Sequence, residues 1–437
     1  MMNSPNFFSS IFFFFIFCSA SSILVESVVP PSKTFESVNQ GFLFFGNVES
    51  NAQYRPLNIS NYPFRLCFYN STPNAYTLGL GMGNANSTSL MRWVWAANHA
   101  RPVSENAKLI FGGNGNLVLV DADGRVAWQT RTANKGVVDI KLLPSGNLVL
   151  RDKKGGFVWQ SFHYPTDTLL IGQSLQQGNL SNKLVSGSYS MVMEEKQVGL
   201  FFKSPQSSKP LLYLVESPSL VEGPFKNVTF MVAPAEDGPD YANELRLEFM
   251  GTSSGRSILA QPKYDSTLSI LRLGSDGNIR IYTYFEKGNK DAWEETYTEF
   301  RKNWLSECLL PEKCGSFGLC DDDQCVACPT PKGLMGWNRD CKPSKLPAAS
   351  CNSTTGASAD VSYYKMEGVD HFLNTNFQGE GPMKIGECRK KCTKDCKCMA
   401  FFYRKDTSMC LLTAQLNTLM KAIDSSSNER IAYIKYV

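Results

Sequence analysis

The sequence predicts a mostly β protein in which two stacked prisms of short antiparallel sheets precede small cysteine-rich modules. Two internal regularities and one asymmetry carry that prediction. Gly115-Asn116-Leu117-Val118-Leu119 returns as Gly146-Asn147-Leu148-Val149-Leu150, 31 residues later. Each Asn is followed after 12 residues by a Trp, Trp128 or Trp159, and Trp95 lies 33 residues before Trp128. A period near 30 marks one supersecondary unit used several times, each copy burying its apolar face against its neighbours. The asymmetry is in the cysteines: of 14, 12 crowd between Cys308 and Cys410. Hydrophobic cores hold the long strand-rich part, and staples hold the small modules after it.

The elements follow in chain order. Phe7 to Phe17 is a short, very apolar run ending in small residues, which reads as a secretory signal over residues 1–24, although no Lys or Arg precedes it. It is too short for a membrane span, and no second long apolar stretch follows. The C-terminal residues carry neither an ER-retention tetrapeptide nor a lipid-anchor signal. A secreted, extracellular protein is expected. In the first prism, residues 43–170, each Gly-Asn starts a turn and Leu-Val-Leu a strand, and Asp123-Gly124 or Gly155-Gly156 turns the chain back. Trp95, Trp128 and Trp159 are read as its core. A second strand-rich region, residues 171–300, starts at Gly187-Ser188-Tyr189. It ends in a weaker copy of the motif, Gly274-Ser275-Asp276-Gly277-Asn278-Ile279.

Six cysteines, Cys308, Cys314, Cys320, Cys325, Cys328 and Cys341, form a compact group over residues 308–341. An oxidising compartment and an even number favour disulfides over metal, and spacing alone leaves their pairing open. Residues 351–437 hold Cys388, Cys392 and Cys396 at four-residue intervals. That spacing places all three on one helix face, with Cys398 and Cys410 beyond. Cys67 stands alone and is read as a buried thiol, with an intermolecular disulfide as the alternative.

Charge and chemistry narrow the function. A net charge of +4 over 437 residues argues against nucleic-acid binding. The three histidines, His99, His163 and His371, fall in different modules, and no nucleophile or acid–base constellation accompanies them, so no enzyme is expected. No metal or cofactor is expected either: Asp321-Asp322-Asp323 lacks EF-hand spacing and reads as a solvated turn. Arg389, Lys390, Lys391 and Lys394 give the helix a basic face, read as solvated, with an acidic cell-wall polymer as the alternative partner. Sequons begin at Asn58, Asn70, Asn86, Asn179, Asn227 and Asn352, and surface glycosylation is expected at several of them.

Three stretches carry a family resemblance: Val94-Trp95-Ala96-Ala97-Asn98-His99-Ala100-Arg101-Pro102-Val103, Gly112 to Leu119, and Trp159-Gln160-Ser161-Phe162-His163-Tyr164-Pro165-Thr166-Asp167-Thr168. With the Cys388-x3-Cys392-x3-Cys396-x-Cys398 run, the sequence resembles the plant bulb-type (G-type, mannose-binding) lectins. Within them it is most similar to secreted epidermis-specific glycoproteins related to S-locus glycoproteins and S-domain receptor ectodomains. The resemblance implies tandem bulb-lectin β-prism domains, a disulfide-rich EGF-like module and an α+β PAN/apple module, without a kinase. It also implies the pairs Cys308–Cys320, Cys314–Cys325, Cys328–Cys341, Cys351–Cys396, Cys388–Cys410 and Cys392–Cys398. The implied setting is the apoplast or cell wall. The implied partners are mannose-type glycans or glycoproteins, with a homodimer or a receptor-like protein as further possibilities.

The family writes its mannose pocket as Gln-x-Asp-x-Asn-x-Val-x-Tyr, because alternate residues of a strand face one side and together line a shallow groove. This chain departs from the pattern in every copy. The first reads Gly112, Asn114, Asn116, Val118, Val120; the second Leu143, Ser145, Asn147, Val149, Arg151; the third Gly274, Asp276, Asn278, Arg280, Tyr282. The resemblance points to Asn114, Asn116, Val118, Asp276, Asn278 and Tyr282 as sugar ligands, with Asn116 and Asn278 facing outward. Each lost hydrogen bond costs about 0.5–1.5 kcal/mol, so weak binding is expected. The rival reading is a sugar-dead lectin-fold scaffold for protein–protein interaction or receptor-ectodomain mimicry.

Overall fold

The computed structural model describes residues 29–85, 90–218, 221–234, 243–262, 268–285, 292–301, 305–343, 361–377, 379–422 and 427–436. The expected signal, Asn86, Cys351 and Asn352 lie outside them. Within the described residues the chain builds two three-sheet prisms and a third body of two sheets and one α-helix.

The first prism joins Gln53–Asn61, Phe64–Thr72, Ala75–Met82 and Arg92–Ala96 in one sheet. Phe35–Val38, Lys108–Phe111, Leu117–Val120 and Val126–Gln129 form the second, and Val137–Leu142, Leu148–Asp152 and Phe157–Gln160 the third. In each sheet a Leu stands opposite a Trp on the last strand: Leu80 and Trp95, Leu119 and Trp128, Leu150 and Trp159. The three indoles meet edge to face at centroid distances of 5.8, 6.1 and 5.7 Å. This is the favoured geometry for aromatic quadrupoles, and it closes the middle of the prism. Trp95 also donates from Nε1 to the Tyr164 carbonyl at 2.9 Å. The glycine before each repeated Asn has two reasons to be glycine. Gly115 and Gly146 sit at φ of 79° and 81°. A Cβ on them would lie 2.7 Å from Val137 or from Leu170 and Phe64.

The second prism repeats the plan with sheets centred on Ser269–Leu273 and Ile279–Phe285, on Phe225–Ala233 and Glu244–Gly251, and on Tyr189–Met193 and Val198–Phe202. Its core replaces the tryptophans with Tyr189, Tyr213 and Phe300, spaced 5.9 and 6.1 Å apart.

The strand Phe35–Val38 precedes residue 43 yet pairs with Lys108–Phe111, so the first prism takes in chain ahead of the expected start. Thr168–Leu170, expected to close the first prism, pairs instead with Ser269–Leu273 of the second. Side-chain alternation explains how one sheet serves both. Leu169, Leu271 and Ile281 enter the second core, whereas Leu170, Ile270 and Tyr284 enter the first. This shared sheet is the seam of the tandem.

The cysteine-rich part also departs from separate modules. Phe317–Asp321 runs parallel to Asn417–Lys421, which joins the strands of the six-cysteine group to Val369–His371 in a five-stranded sheet. Phe317, Leu319 and Ala327 then share one core with Ala400, Phe402 and Leu419. Bridges join Cys308 to Cys320, Cys314 to Cys325, Cys328 to Cys341, Cys388 to Cys410 and Cys392 to Cys398. The helix Ile385–Lys394 buries Cys388 and Cys392. The expected third position on its face is corrected: Asp395 leaves helical geometry at ψ 107°, and Cys396 lies past the end, half-exposed and without a partner among the described residues. The buried Lys435 ammonium donates to the Cys392 and Asp395 carbonyls at 3.0 and 3.2 Å. It caps the helix where its dipole is negative.

Candidate functional site

The motif asparagines turn inward. Asn116 is only 8% exposed. Its amide donates to Gln129 Oε1 at 2.9 Å, and its oxygen accepts from the Thr130 hydroxyl at 3.1 Å and the Thr132 N–H at 3.0 Å. Asn147 repeats the arrangement, donating to Gln160 Oε1 at 2.8 Å and accepting from Ser161 Oγ and the Phe162 N–H at 3.3 Å. The Asn thus staples its turn to the strand that carries the Trp. The sequence signal for this is the Gln after each Trp, at Trp128-Gln129-Thr130 and Trp159-Gln160-Ser161. Asn278 is 0% exposed and accepts from the Phe300 N–H at 3.3 Å. The expectation that Asn116 and Asn278 face outward is therefore corrected. Both are held by residues farther along the chain that the motif itself does not mention.

The third copy is closed by its own charges. Arg280 grips Asp276 with two bonds, 3.0 and 2.6 Å. Burial pushes the Asp276 carboxyl upward, but the bonds from Arg280 and the Asn278 N–H outweigh it and hold the group below its usual range. Tyr282 lies under the Arg92 guanidinium at 4.0 Å, so its ring is spent on the seam between the prisms. In the second copy Val149 is fully buried and Arg151 pairs with Asp139 at 2.5 Å.

The first copy is the most open. Asn114 is exposed, Val118 and Val120 are half-buried, and Gln129, opposite Val118 on the next strand, is exposed. Asn114 uses only its oxygen, which accepts the Asn116 N–H at 3.0 Å. The structure thus leaves Asn114 and Val118 together at one surface, and sets Asn116, Asp276, Asn278 and Tyr282 to internal tasks.

The other singled-out residues are accounted for by packing. Cys67 is a fully buried free thiol, and burial pushes it up to about 12. Asp323 accepts from Ser306 Oγ and the Glu307 N–H, and Asp321 pairs with Lys421. Among the described residues no His, Cys, Asp and Glu cluster is arranged to hold a metal. Asn58 and Asn179 are exposed and Asn227 half-buried, but Asn70 is only 6% exposed, against the expectation that sequons lie on the surface.

Two triangular prisms of antiparallel sheets, the first closed by a tryptophan triad, define the chain as a lectin-fold protein carrying a disulfide-rich appendage. Family models agree: D-mannose binding lectin over residues 92–187, S-locus glycoprotein domain over 221–337 and PAN-like domain over 362–417. EP1-like glycoprotein 3 of Arabidopsis thaliana is 44% identical across 94% of this chain and 93% of its own. The epidermis-specific secreted glycoprotein EP1 of Daucus carota is 48% identical across 78% of this chain and 93% of its own. The chain belongs to the EP1-like glycoprotein family. A G-type lectin S-receptor-like serine/threonine-protein kinase of Arabidopsis thaliana, SD2-5, is a more distant relative at 24% identity, over 87% of this chain and 44% of the kinase. Among the described residues no helix is long and apolar enough to cross a membrane.

Proposed function

We propose that the protein is a secreted, glycosylated recognition protein of the apoplast or cell wall that binds mannose-type glycans weakly. The observation that supports this is the open strip of Asn114, Val118 and Gln129 on the first prism, where an amide and an apolar face remain together at the surface. A sugar presents the same pairing of hydroxyl edge and carbon face. With one motif amide left to bind, two or more hydrogen bonds of the family pocket are missing, and each 1.4 kcal/mol is about tenfold in affinity. Dissociation constants in the millimolar range are therefore expected. A glycan array probed with multivalent protein should select mannose-rich structures, and Asn114→Ala or Val118→Glu should reduce that signal while leaving the fold intact. Wild-type protein silent across the array would remove this reading.

The second reading is a scaffold for protein partners. It is favoured by the Asp276–Arg280 pair and the Arg92–Tyr282 stack, which consume a former sugar strand in internal contacts. A silent array together with a specific extracellular protein partner would establish it.

A further inference from the structure

A cleft of about 350 Å³ opens at the Pro73-Asn74 hairpin of the first prism, away from all three motif strands. Its polar wall is made of amides and hydroxyls: Asn51, Gln53, Asn70, Ser71, Thr72 and Asn74. Leu43, Pro73 and the Tyr76 ring supply the apolar part, and none of the residues that line it is charged. Gln53 and Asn70 are cross-strand partners, so their side chains stand together on one face of the sheet. Cys67 and Tyr69 point to the other face, where Tyr69 stacks on Trp93 at 3.9 Å.

Asn70 is the telling residue. It is 94% removed from solvent (6% exposed) and lines the cleft, yet its side chain hydrogen-bonds to none of the described residues. The amide opens onto the cleft with its hydrogen-bonding capacity free, so a ligand entering there can take it up. Along the cleft runs the loop Gly41 to Gly46. Its Leu43 lines the cavity, whereas Phe42 packs on Phe44, whose ring lies against Tyr54 on the other face. A neutral, amide-rich hollow with Leu43, Pro73 and the Tyr76 ring as its apolar part suits a ligand with one apolar face and many hydroxyls. The nearest charges, Arg55 and Glu105 beside the Tyr76 ring, are paired with one another at 2.7 Å, so a charged peptide or a polyuronate would find no free counter-charge there.

We infer that this cleft is a second glycan site, taking one or two neutral sugar residues against Gln53 and Asn70, with Leu43 and the Tyr76 ring as its apolar part. The inference rests on the carbohydrate reading above and moves the main contact away from the motif strands. Asn70 also begins a sequon, so the sugar could come from a free glycan or from the chain's own attachment. The buried amide favours the free one.

The test uses the secreted protein, with α-1,3-mannobiose and N,N′-diacetylchitobiose as probes, followed by ligand-observed NMR titration. Asn70→Ala and Gln53→Ala should each weaken the bound disaccharide by about tenfold, with near-UV circular dichroism showing the fold retained. Glycopeptide mapping should find Asn70 unmodified. Full occupancy of Asn70 by an attached glycan would overturn the proposal, as would wild-type affinity in both Asn70→Ala and Gln53→Ala. In the second case binding persists and the carbohydrate reading survives alone. Absence of any sugar binding by wild type would instead remove both.

Discussion

Glu49 of the first prism accepts Arg272 of the second at 2.5 Å, and the same carboxylate oxygen holds Arg92 at 3.0 Å. Arg272 also reaches the Trp93 carbonyl and, at 3.0 Å, the Thr168 hydroxyl. Two guanidinium groups and one carboxylate thus occupy the seam beside the shared sheet, with Asp167 at 3.9 Å adding a second negative charge. Burial works to lower the Arg272 pKa, but Glu49 and Asp167 outweigh it and keep the group firmly charged.

Glu49→Gln should therefore leave Arg92 and Arg272 facing one another with too little counter-charge. A loss on the order of 3 kcal/mol is expected from the seam. Differential scanning calorimetry should show the joint transition of the two prisms separating into two. An unchanged thermogram would mean that the apolar face of the shared sheet alone couples them.

Trp95→Ala, Trp128→Ala and Trp159→Ala each remove one side of the indole triangle. Emptying such a site costs about 3–5 kcal/mol, a large share of a domain's stability. All three variants should fail to accumulate in the medium. A variant secreted at wild-type level that has lost only glycan binding would assign its indole to a ligand instead.

Asn116→Ala and Asn147→Ala test the staples. The first leaves the buried Thr132 N–H and the second the half-buried Phe162 N–H without its acceptor, at a cost of up to about 1–3 kcal/mol. Urea unfolding of the first prism should shift to lower denaturant in both variants. Glycan retention per folded molecule should not change, in contrast to Asn114→Ala. Loss of retention at unaltered stability would return Asn116 to the sugar site.

His371 gives the third body an acid sensitivity. The ring is fully buried, and burial lowers its pKa to about 3. It donates from Nε2 to the Leu416 carbonyl at 3.0 Å and accepts the Leu373 N–H on Nδ1 at 3.3 Å. The folded pKa lies below the unfolded one, so between pH 6.5 and 3 the unfolded chain binds more protons. The stability that neutral His371 contributes is complete above about pH 6.5 and declines as pH falls toward 3. Hydrogen exchange at Val369 to His371 and Asn417 to Lys421 should accelerate over that window. His371→Gln should flatten the acid dependence there.

Much of the fold could be read locally. The Gly-Asn turns, the Trp spacing and the helix at Cys388 and Cys392 depend on neighbours a few residues away, and the structure places them as the pattern suggests. The site was less legible. The motif positions alternate along a strand, which marks a common face but does not say whether that face meets solvent. Gln129 and Phe300 decide it for Asn116 and Asn278, and they come from 13 and 22 residues on. The signal at Gln129 and Gln160 was present in the repeat, whereas nothing near Asn278 announces Phe300.

By itself the sequence determined a repeated β unit with a tryptophan centre and a cysteine-stapled end. Those features follow from backbone preference, side-chain period and composition, which are properties of short segments. Only the tertiary structure decided that Thr168–Leu170 faces two cores, that Arg92 covers Tyr282, that two cysteine-rich stretches share one sheet, and that Asn70 is buried beside an open cleft. Each of these depends on which distant strand arrives alongside. Burial, ion pairing and the satisfaction of an amide are properties of that meeting, and a local pattern does not contain them.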